Sequence, residues 1–223
     1  MILAAMLTLN NPKQQGLFPM HISLLTFDGF NELDTLIALG ILNRVKKQNW
    51  RVSIASPTRT VRSMNGVVLE RHISLEEACK TEVVLVGSGS KTREIANDHS
   101  LMGQIDLNPR HHLIGAQCSG TLLLAKLGLL SDIPACTDLT TRPWVEEAGI
   151  EVLDQAFHAS GNIATAGGCL ASQYLAFWVL ARTEGLKAAE NALHYVAPVG
   201  EKEDYVARAR DITRPFLSAT VAT

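Results

Sequence analysis

Short apolar runs rich in β-forming residues alternate along this chain with segments of helical periodicity. The run at 21–27 (HISLLTF) ends at the turn 28–31, an amphipathic segment follows, and 50–55 (WRVSIA) is the next β-type run. A strand, a helix and a strand at this spacing form a βαβ unit, which is right-handed in nearly all proteins. The sequence therefore predicts a parallel sheet.

The same alternation continues to the end of the chain. Val83–Val86 is an uninterrupted valine and leucine run, which is typical of a central strand covered on both faces. The remaining predicted elements are strands at 112–116 and 163–166, helices at 74–78, 92–102, 121–130 and 170–181, two helices between 186 and 210, and a hairpin at 60–71 around Asn65-Gly66. We expect one α/β domain over 20–223, a doubly wound, mostly parallel sheet sandwiched by helices, after a loosely ordered N-terminal extension at 1–19.

Composition and charge exclude several classes of protein. The net charge is −2 and the basic residues are scattered, so we expect no nucleic-acid partner. The four cysteines, at 79, 118, 136 and 169, have no CxxC spacing, so we expect reduced thiols and no metal. Met1–Leu9 is apolar but lacks a cationic leader, and no run approaches the roughly 20 apolar residues of a membrane span, so we expect a cytoplasmic protein.

Cys118 lies in the segment 115–120 (GAQCSG), where a predicted strand ends and a helix begins at Thr121. A turn of small residues at this place is typical of a nucleophile elbow, which presents a side chain at the edge of the sheet. Because a helix N-terminus favours negative charge, we expect Cys118 to be shifted towards its nucleophilic thiolate form. Cys169, after Gly167-Gly168, is the rival candidate, and a buried core cysteine is the alternative for both.

Asp34 lies in the first turn of the first predicted helix, together with Glu32. Carboxylates at this position often only complement the helix dipole, and that alternative stays open. However, Asp34 falls between Leu33 and Leu36 on an apolar helix start, where a carboxylate needs a partner or a raised pKa. Sharing a proton with a thiol would meet this need, so Asp34 is a candidate general acid and base.

The turn Gly87-Ser88-Gly89 follows the predicted central strand. It lacks both the GxGxxG pattern and the GK[ST] ending, so it does not predict nucleotide binding. Backbone amides fit the turn better. The N–H groups of Gly89 and Ser119 are the candidate oxyanion and substrate-binding donors.

These segments resemble the ThiJ/PfpI superfamily, the branch of glutamine-amidotransferase-like folds that has a cysteine elbow. The resemblance runs from about His21 to Gly185 and rests on Phe27–Phe30 with Leu33-Asp34, Val83–Gly89, Ala116–Gly120, Gly128–Leu130 and Thr165–Gly167. It implies a flavodoxin-like fold and a homodimer. It also implies that Cys118 is the nucleophile, that Asp34 hydrogen-bonds it, and that Gly89 and Ser119 are the oxyanion donors.

Departures from the superfamily pattern bear on the reaction. Many members carry Glu where this chain has Asp34, and the isocyanide hydratase group carries Asp. The usual Thr-Thr-His-Trp segment corresponds to Cys136–Leu139, which lacks histidine, and this weakens a Cys-His-acid triad. His158 could approach from a neighbouring strand, although a hairpin-edge position explains it better. Gly87–Gly89 replaces the usual Pro-Gly-Gly, and Ile37-Ala38 replaces Gly-Pro, so we expect a different pocket wall.

The resemblance implies a lyase that hydrates a small isocyanide (isonitrile) to an N-substituted formamide, with Cys118 as nucleophile, Asp34 as general acid and base, and no cofactor or metal. The alternatives are an amidase, peptidase or glyoxalase/deglycase-type enzyme, and a thiol redox or stress sensor. Related domains precede DNA-binding modules in some regulators, but the segment after Leu186 is short and partly acidic, so we expect no DNA-binding role.

Overall fold

The computed structural model describes residues 19–217 of the 223-residue chain. The strands are β1 (Met20–Leu25), β2 (Trp50–Ala55), β3 (Thr60–Arg62), β4 (Val68–Glu70), β5 (Val83–Val86), β6 (Leu113–Gln117), β7 (Phe157–Ser160) and β8 (Ile163–Ala166). The α-helices are α1 (Glu32–Leu42), α2 (Leu75–Ala78), α3 (Thr92–Asn97), α4 (His99–Met102), α5 (Gly120–Lys126), α6 (Arg142–Glu147), α7 (Ser172–Thr183), α8 (Leu186–Val196) and α9 (Lys202–Thr213). Short 3₁₀ helices cover Cys169–Ala171 and Arg214–Phe216. The expectations for an N-terminal extension and for Met1–Leu9 fall on residues 1–18, which lie outside the described residues.

The main sheet has six strands in the order β2-β1-β5-β6-β8-β7. All neighbours pair in parallel except β7, which is antiparallel to β8. Val86 at the end of β5 pairs with Leu25 of β1 and with Ala116 of β6. The carboxyl ends of the central strands therefore meet at one edge, as they do in doubly wound α/β folds.

Helices cover both faces of this sheet, and each face has its own apolar core. One core holds buried side chains of α1, α7, α8 and α9, including the fully buried Trp178 and Phe177 of α7. The other holds buried side chains of α2 to α6, including Leu123 of α5 and Val145 of α6. The predicted fold class, an α/β sandwich with a mostly parallel sheet, is confirmed. Within residues 19–217, no helix has the length and apolar character needed to cross a bilayer.

Several element boundaries differ from the sequence-based expectation. The helix predicted at 92–102 is two helices, because Asp98 adopts an extended conformation and its side chain caps α4 by accepting from the Leu101 amide at 3.0 Å. The helix predicted at 121–130 ends at Lys126, and Gly128 follows with a φ of 73°. Helix α6 was not predicted; Asp138 accepts from the amides of Thr140 and Thr141 just before it begins.

The hairpin β3–β4 lies against the turn that follows β1. The Arg62 amide donates to Asp28 Oδ1 at 3.0 Å, and the Glu32 carboxylate accepts from the side chains of Ser63 and Asn65. The hairpin loop spans more than the two residues Asn65-Gly66, since the Ser63 amide donates to Val67 O at 2.8 Å. The predicted hairpin is present with a longer loop, and it fixes the loop from which α1 starts.

Candidate active site

Cys118 directly follows β6 and has a φ of 47°, the one positive φ of a non-glycine residue in the part of the chain that the structure describes. Its amide donates to Ala166 O at 2.8 Å, and its carbonyl accepts from Thr137 Oγ1 at 2.8 Å. These contacts hold a conformation that costs an L-residue about 1–3 kcal/mol. Only 3% of the residue is exposed. The elbow predicted from the sequence is therefore present as a strained, buried turn.

Gly120 shows why small residues surround the cysteine. A Cβ atom at this position would lie 2.5 Å from Val86 O and 2.8 Å from Gly87 O. The start of α5 therefore packs directly on the backbone that leaves β5. This close approach places Cys118 beside the turn Gly87–Gly89.

Asp34 lies in the first turn of α1, and the side chain of Asn31 caps this helix by accepting from the Leu33 amide at 3.1 Å. Asp34 is 2% exposed. Its Oδ2 atom accepts a hydrogen bond from the Ser88 hydroxyl, and Ser172 Oγ donates to its backbone carbonyl at 3.1 Å. Asp34 is thus a buried residue built into the site and not a solvated residue at the helix end.

Cys118, Asp34 and Cys169 form one cluster. The two Sγ atoms and a carboxylate oxygen of Asp34 all lie within 4.8 Å of one another. Cys169, the rival candidate from the sequence, therefore lies in the same site as Cys118. The other two cysteines lie elsewhere: Cys79 is near Asp106, and the amide of Cys136 donates to Thr165 Oγ1.

Two amide side chains complete this cluster, and sequence reasoning gave neither of them a role in it. Gln117 Nε2 lies 3.5 Å from Cys118 Sγ and also donates to Gly168 O at 2.9 Å. Asn31 Nδ2 donates to Cys169 Sγ at 3.2 Å. The only feature of the sequence that could have indicated these two residues is their position near the end of a predicted strand. Each thiol therefore has one N–H donor directed at its sulfur.

Burial controls the protonation of the pair. Burial raises the pKa of Asp34, and the hydrogen bond from Ser88 offsets part of this effect. Burial, followed by the charge of Asp34, raises the pKa of the Cys118 thiol far above its ordinary range. A second negative charge in this space is disfavoured, so the pair keeps at least one proton at neutral pH.

The surroundings of Cys118 oppose the expected shift of its thiol towards thiolate at the N-terminus of α5, because burial raises its pKa. Helix α5 has only seven residues. Its dipole is outweighed by the loss of solvent around the thiol and by the adjacent carboxyl group. Formation of the thiolate therefore requires that the proton move within the pair.

Of the two expected oxyanion donors, the amides of Gly89 and Ser119, the first already has an acceptor. The Gly89 amide donates to Ser119 Oγ at 3.1 Å, and this hydroxyl also contacts Thr92 Oγ1 at 2.7 Å. The prediction that Gly89 offers a free N–H is therefore corrected. The Ser119 amide has no backbone acceptor among the described residues, and it directly follows Cys118.

His158 and Asp138 lie outside the cluster. The ring of His158 packs edge-on against Phe216, with the centroids 5.1 Å apart. Asp138 accepts from the amides of Thr140 and Thr141 just before α6, and its charge contributes to raising the pKa of Asp34. Neither residue hydrogen-bonds Cys118 within the described chain.

Three buried side-chain atoms in the described chain have no hydrogen-bond partner: Asp34 Oδ1, Thr35 Oγ1 and Gln117 Oε1. All three residues line one small cavity of about 10 Å³ between α1 and the sheet. This is about the volume that one water molecule needs, and three polar atoms are enough to hold one. A water molecule bound in this cavity would supply the hydrogen bonds that these three atoms lack.

The cluster also has the donors of a metal site. Two thiols and a carboxylate suit a thiophilic divalent ion such as Zn²⁺. Tetrahedral coordination with Zn–S bonds of about 2.3 Å needs the ligand atoms about 3.8 Å apart, which falls inside the 4.8 Å that contains these three atoms. The same three side chains would then be unavailable for nucleophilic chemistry.

A parallel sheet between helices, with a cysteine on a strained turn between a strand and a helix, defines the α/β proteins that carry a nucleophile elbow. The sequence pattern of the DJ-1/PfpI family matches residues 20–182. The chain belongs to the DJ-1/PfpI family. This confirms the ThiJ/PfpI resemblance at the level of the superfamily.

Solved structures with a similar fold include a ThiJ/PfpI family protein from Pseudomonas syringae, with 16% identity, a TM-score of 0.73, and coverage of 94% of this chain and 95% of that one. DJ-1 of Toxoplasma gondii in an oxidised state has 16% identity, a TM-score of 0.68, and coverage of 79% and 97%. DJ-1 of Schizosaccharomyces pombe has 18% identity, a TM-score of 0.60, and coverage of 85% and 98%. No curated protein sequence matches the chain. At these identities the likeness to the solved structures shows the fold.

Proposed function

We propose that this protein is a cysteine-dependent hydratase, a lyase that converts a small isocyanide to an N-substituted formamide. The observation that carries the proposal is the pairing of a strained Cys118 with a buried Asp34 in a cluster that contains no histidine among the described residues. Hydration of an isocyanide expels no amine, so it does not need the histidine acid of an amidase or peptidase.

The first step uses the proton that the pair retains. As the sulfur of Cys118 adds to the electrophilic terminal carbon of R–N≡C, a C–S bond forms and that carbon takes up a proton from the Asp34 carboxyl group. The product is the thioimidate R–N=CH–S–Cys118, and Asp34 receives the thiol proton. The net change is addition of S–H across the terminal carbon, without a net change in the charge of the buried pair.

The second step adds water to the thioimidate carbon. Asp34, which holds the former thiol proton, donates it to the nitrogen and accepts a proton from the water as the C–O bond forms. Collapse of the resulting R–NH–CH(OH)–S adduct breaks the C–S bond and releases R–NH–CHO and the Cys118 thiol. The Ser119 amide supports charge on the new oxygen, an effect of about 3 kcal/mol for one donor in other enzymes.

Exposed leucines flank the cluster residues in sequence, and such side chains suit a neutral, apolar substrate. Leu33 and Leu170, which are neighbours in sequence of Asp34 and Cys169, are 52% and 66% exposed. Leu139, two residues after Thr137, is 83% exposed. Alkyl or aryl isocyanides carry no charge, and their substituent can pack on such side chains while the linear N≡C group reaches the buried thiol.

The test follows formamide formation from para-nitrophenyl isocyanide. We expect turnover by the wild-type protein, none above background for Cys118→Ala, and a loss of roughly 100-fold or more for Asp34→Asn, because general acid and base catalysis contributes at least this factor. Cys79→Ser is the matched control, since this cysteine lies outside the cluster, and it should retain the wild-type rate. Wild-type protein that leaves the isocyanide unchanged but converts glyoxal or cleaves peptides or amides would overturn the proposal in favour of those activities.

A further inference from the structure

The proposed hydration does not use Cys169, although the Sγ atom of this residue lies within 4.8 Å of both Cys118 Sγ and an Asp34 oxygen. The two thiols differ in access. Cys118 is buried, whereas Cys169 is partly exposed and follows the exposed Gly168. A small oxidant that enters beside Gly168 therefore meets a pair of neighbouring thiols and not a single one.

Each sulfur has a group that supports its reaction. Gln117 Nε2 is directed at Cys118 Sγ, and Asn31 Nδ2 is directed at Cys169 Sγ. N–H donors favour the thiolate form, which is the form that attacks peroxides and oxidised sulfur. Asp34, which is in reach of both thiols, can take up the proton that either one loses.

The backbone allows the two sulfur atoms to approach. Cys118 is held by Ala166 and Thr137, but Gly168 has a φ of 88° and no atom within 4 Å of where its Cβ would lie. Cys169 begins a 3₁₀ helix of only three residues. A disulfide needs a separation of about 2.05 Å, so Cys169 Sγ has to move by at most roughly 3 Å, which a side-chain rotation and a small shift at Gly168 supply.

We propose that Cys118 and Cys169 form a reversible disulfide when the protein meets a hydroperoxide, and that this bond protects and switches off the nucleophile. In the first step the Cys118 thiolate attacks one peroxide oxygen, the O–O bond breaks, and Asp34 returns the thiol proton to the leaving oxygen, so the products are a sulfenic acid and water or an alcohol. In the second step Asp34 takes the proton of Cys169, the Cys169 thiolate attacks the sulfenic sulfur, the S–S bond forms, and the leaving hydroxide takes up that proton as water. A small thiol as reductant reverses the change by exchange. The proposal uses the same cysteine as the hydratase but does not depend on the isocyanide reaction.

The test is oxidation of the purified full chain with hydrogen peroxide, followed by intact-mass and peptide mapping. For the wild-type protein we expect a loss of about 2 Da, a peptide linkage between Cys118 and Cys169, and full reversal by dithiothreitol. Cys169→Ser should instead gain about 16 and then 32 Da on Cys118, and the 32 Da product should resist dithiothreitol. Cys79→Ser, the matched substitution outside the cluster, should behave as wild type.

Two results would contradict the proposed disulfide. Irreversible addition of oxygen to Cys118 in the wild-type protein while Cys169 stays free, or a linkage between another pair of cysteines, would overturn the proposal. The experiment measures mass and not turnover. It therefore tests the disulfide even if the protein hydrates no isocyanide. Failure of the disulfide likewise leaves the hydratase proposal standing.

Discussion

At the scale of single residues, Cys118 has a backbone conformation that glycine adopts far more easily than any other residue. Cys118→Gly and Cys118→Ala both remove the sulfur, and only alanine keeps the strain of a positive φ. At an ordinary position glycine would be the less stable of the two by about 0.5–1 kcal/mol. Here we expect the order to reverse, with the glycine variant more stable than the alanine variant by about 1 kcal/mol. Urea unfolding of the two variants measures this; an alanine variant as stable as the glycine variant, or more so, would mean that the elbow is unstrained.

Asp34 should make the stability of the protein depend on pH. Its folded pKa is raised by burial above the ordinary value of 3.8, so the unfolded chain releases the proton first as the pH rises. The contribution of the protonated Asp34 carboxyl group to the free energy of unfolding is therefore fully present below pH 3.8, and it is lost as the pH rises through the pKa of Asp34 in the folded protein. We expect the free energy of unfolding of Asp34→Asn, measured relative to wild type, to increase from pH 4 towards neutrality. Parallel curves for the two proteins would show that Asp34 ionises freely in the folded state.

Sequence reasoning located Cys118 and Asp34, because each follows a strand end, where α/β proteins place their sites. It could not predict that the Gly89 amide would bond to the Ser119 hydroxyl, or that Gln117 and Asn31 would point at sulfur atoms. Those contacts depend on rotamers and on the separation of different strands, which no local pattern encodes. The raised pKa of the Cys118 thiol was not predicted for a related reason, because it arises from burial of the site, which opposes the helix dipole.

At the scale of elements, the elbow depends on how closely α5 approaches β5. Gly120→Ala would place a methyl group 2.5 Å from Val86 O, and backbone cannot move aside cheaply. We expect a loss of roughly 2–3 kcal/mol in unfolding free energy and a displaced Cys118. Gly40→Ala in α1 is the matched control, because nothing lies within 4 Å of its Cβ position, and it should stabilise the protein by up to about 1 kcal/mol. Equal effects of the two substitutions in denaturant unfolding would contradict the tight contact.

Elements with clear local signals were predicted well, and weakly marked ones were not. Trp50–Ala55 and Val83–Val86 match β2 and β5 because strong β-formers fill them between polar or glycine-rich ends. Helix α6 has six residues and buries only Val145, so its apolar periodicity is too short to detect. The break at Asp98 was missed because a cap inside an otherwise helical stretch resembles an ordinary helical residue.

At the scale of the whole molecule, the fold follows from the repeated strand and helix pattern with few alternatives. Apolar faces of helices on both sides of a parallel sheet can be buried only in a layered α/β arrangement, which the two cores show. The homodimer and the cytoplasmic location that the sequence suggests stay predictions. The reaction is specified by far fewer residues than the fold, because relatives with a common fold can carry different chemistry at the same elbow.

Capture of the isocyanide on Cys118 tests the hydratase proposal most directly. Wild-type protein mixed with excess para-nitrophenyl isocyanide and quenched rapidly with acid should gain the mass of one isocyanide molecule, and peptide mapping should place it on Cys118 as the thioimidate. Asp34→Asn, which lacks the group that protonates the carbon and helps water attack, should form this adduct more slowly and also release it more slowly than wild type. Formation of formamide with the label on Cys169, or at an undiminished rate by Cys118→Ala, would show that Cys118 is not the nucleophile.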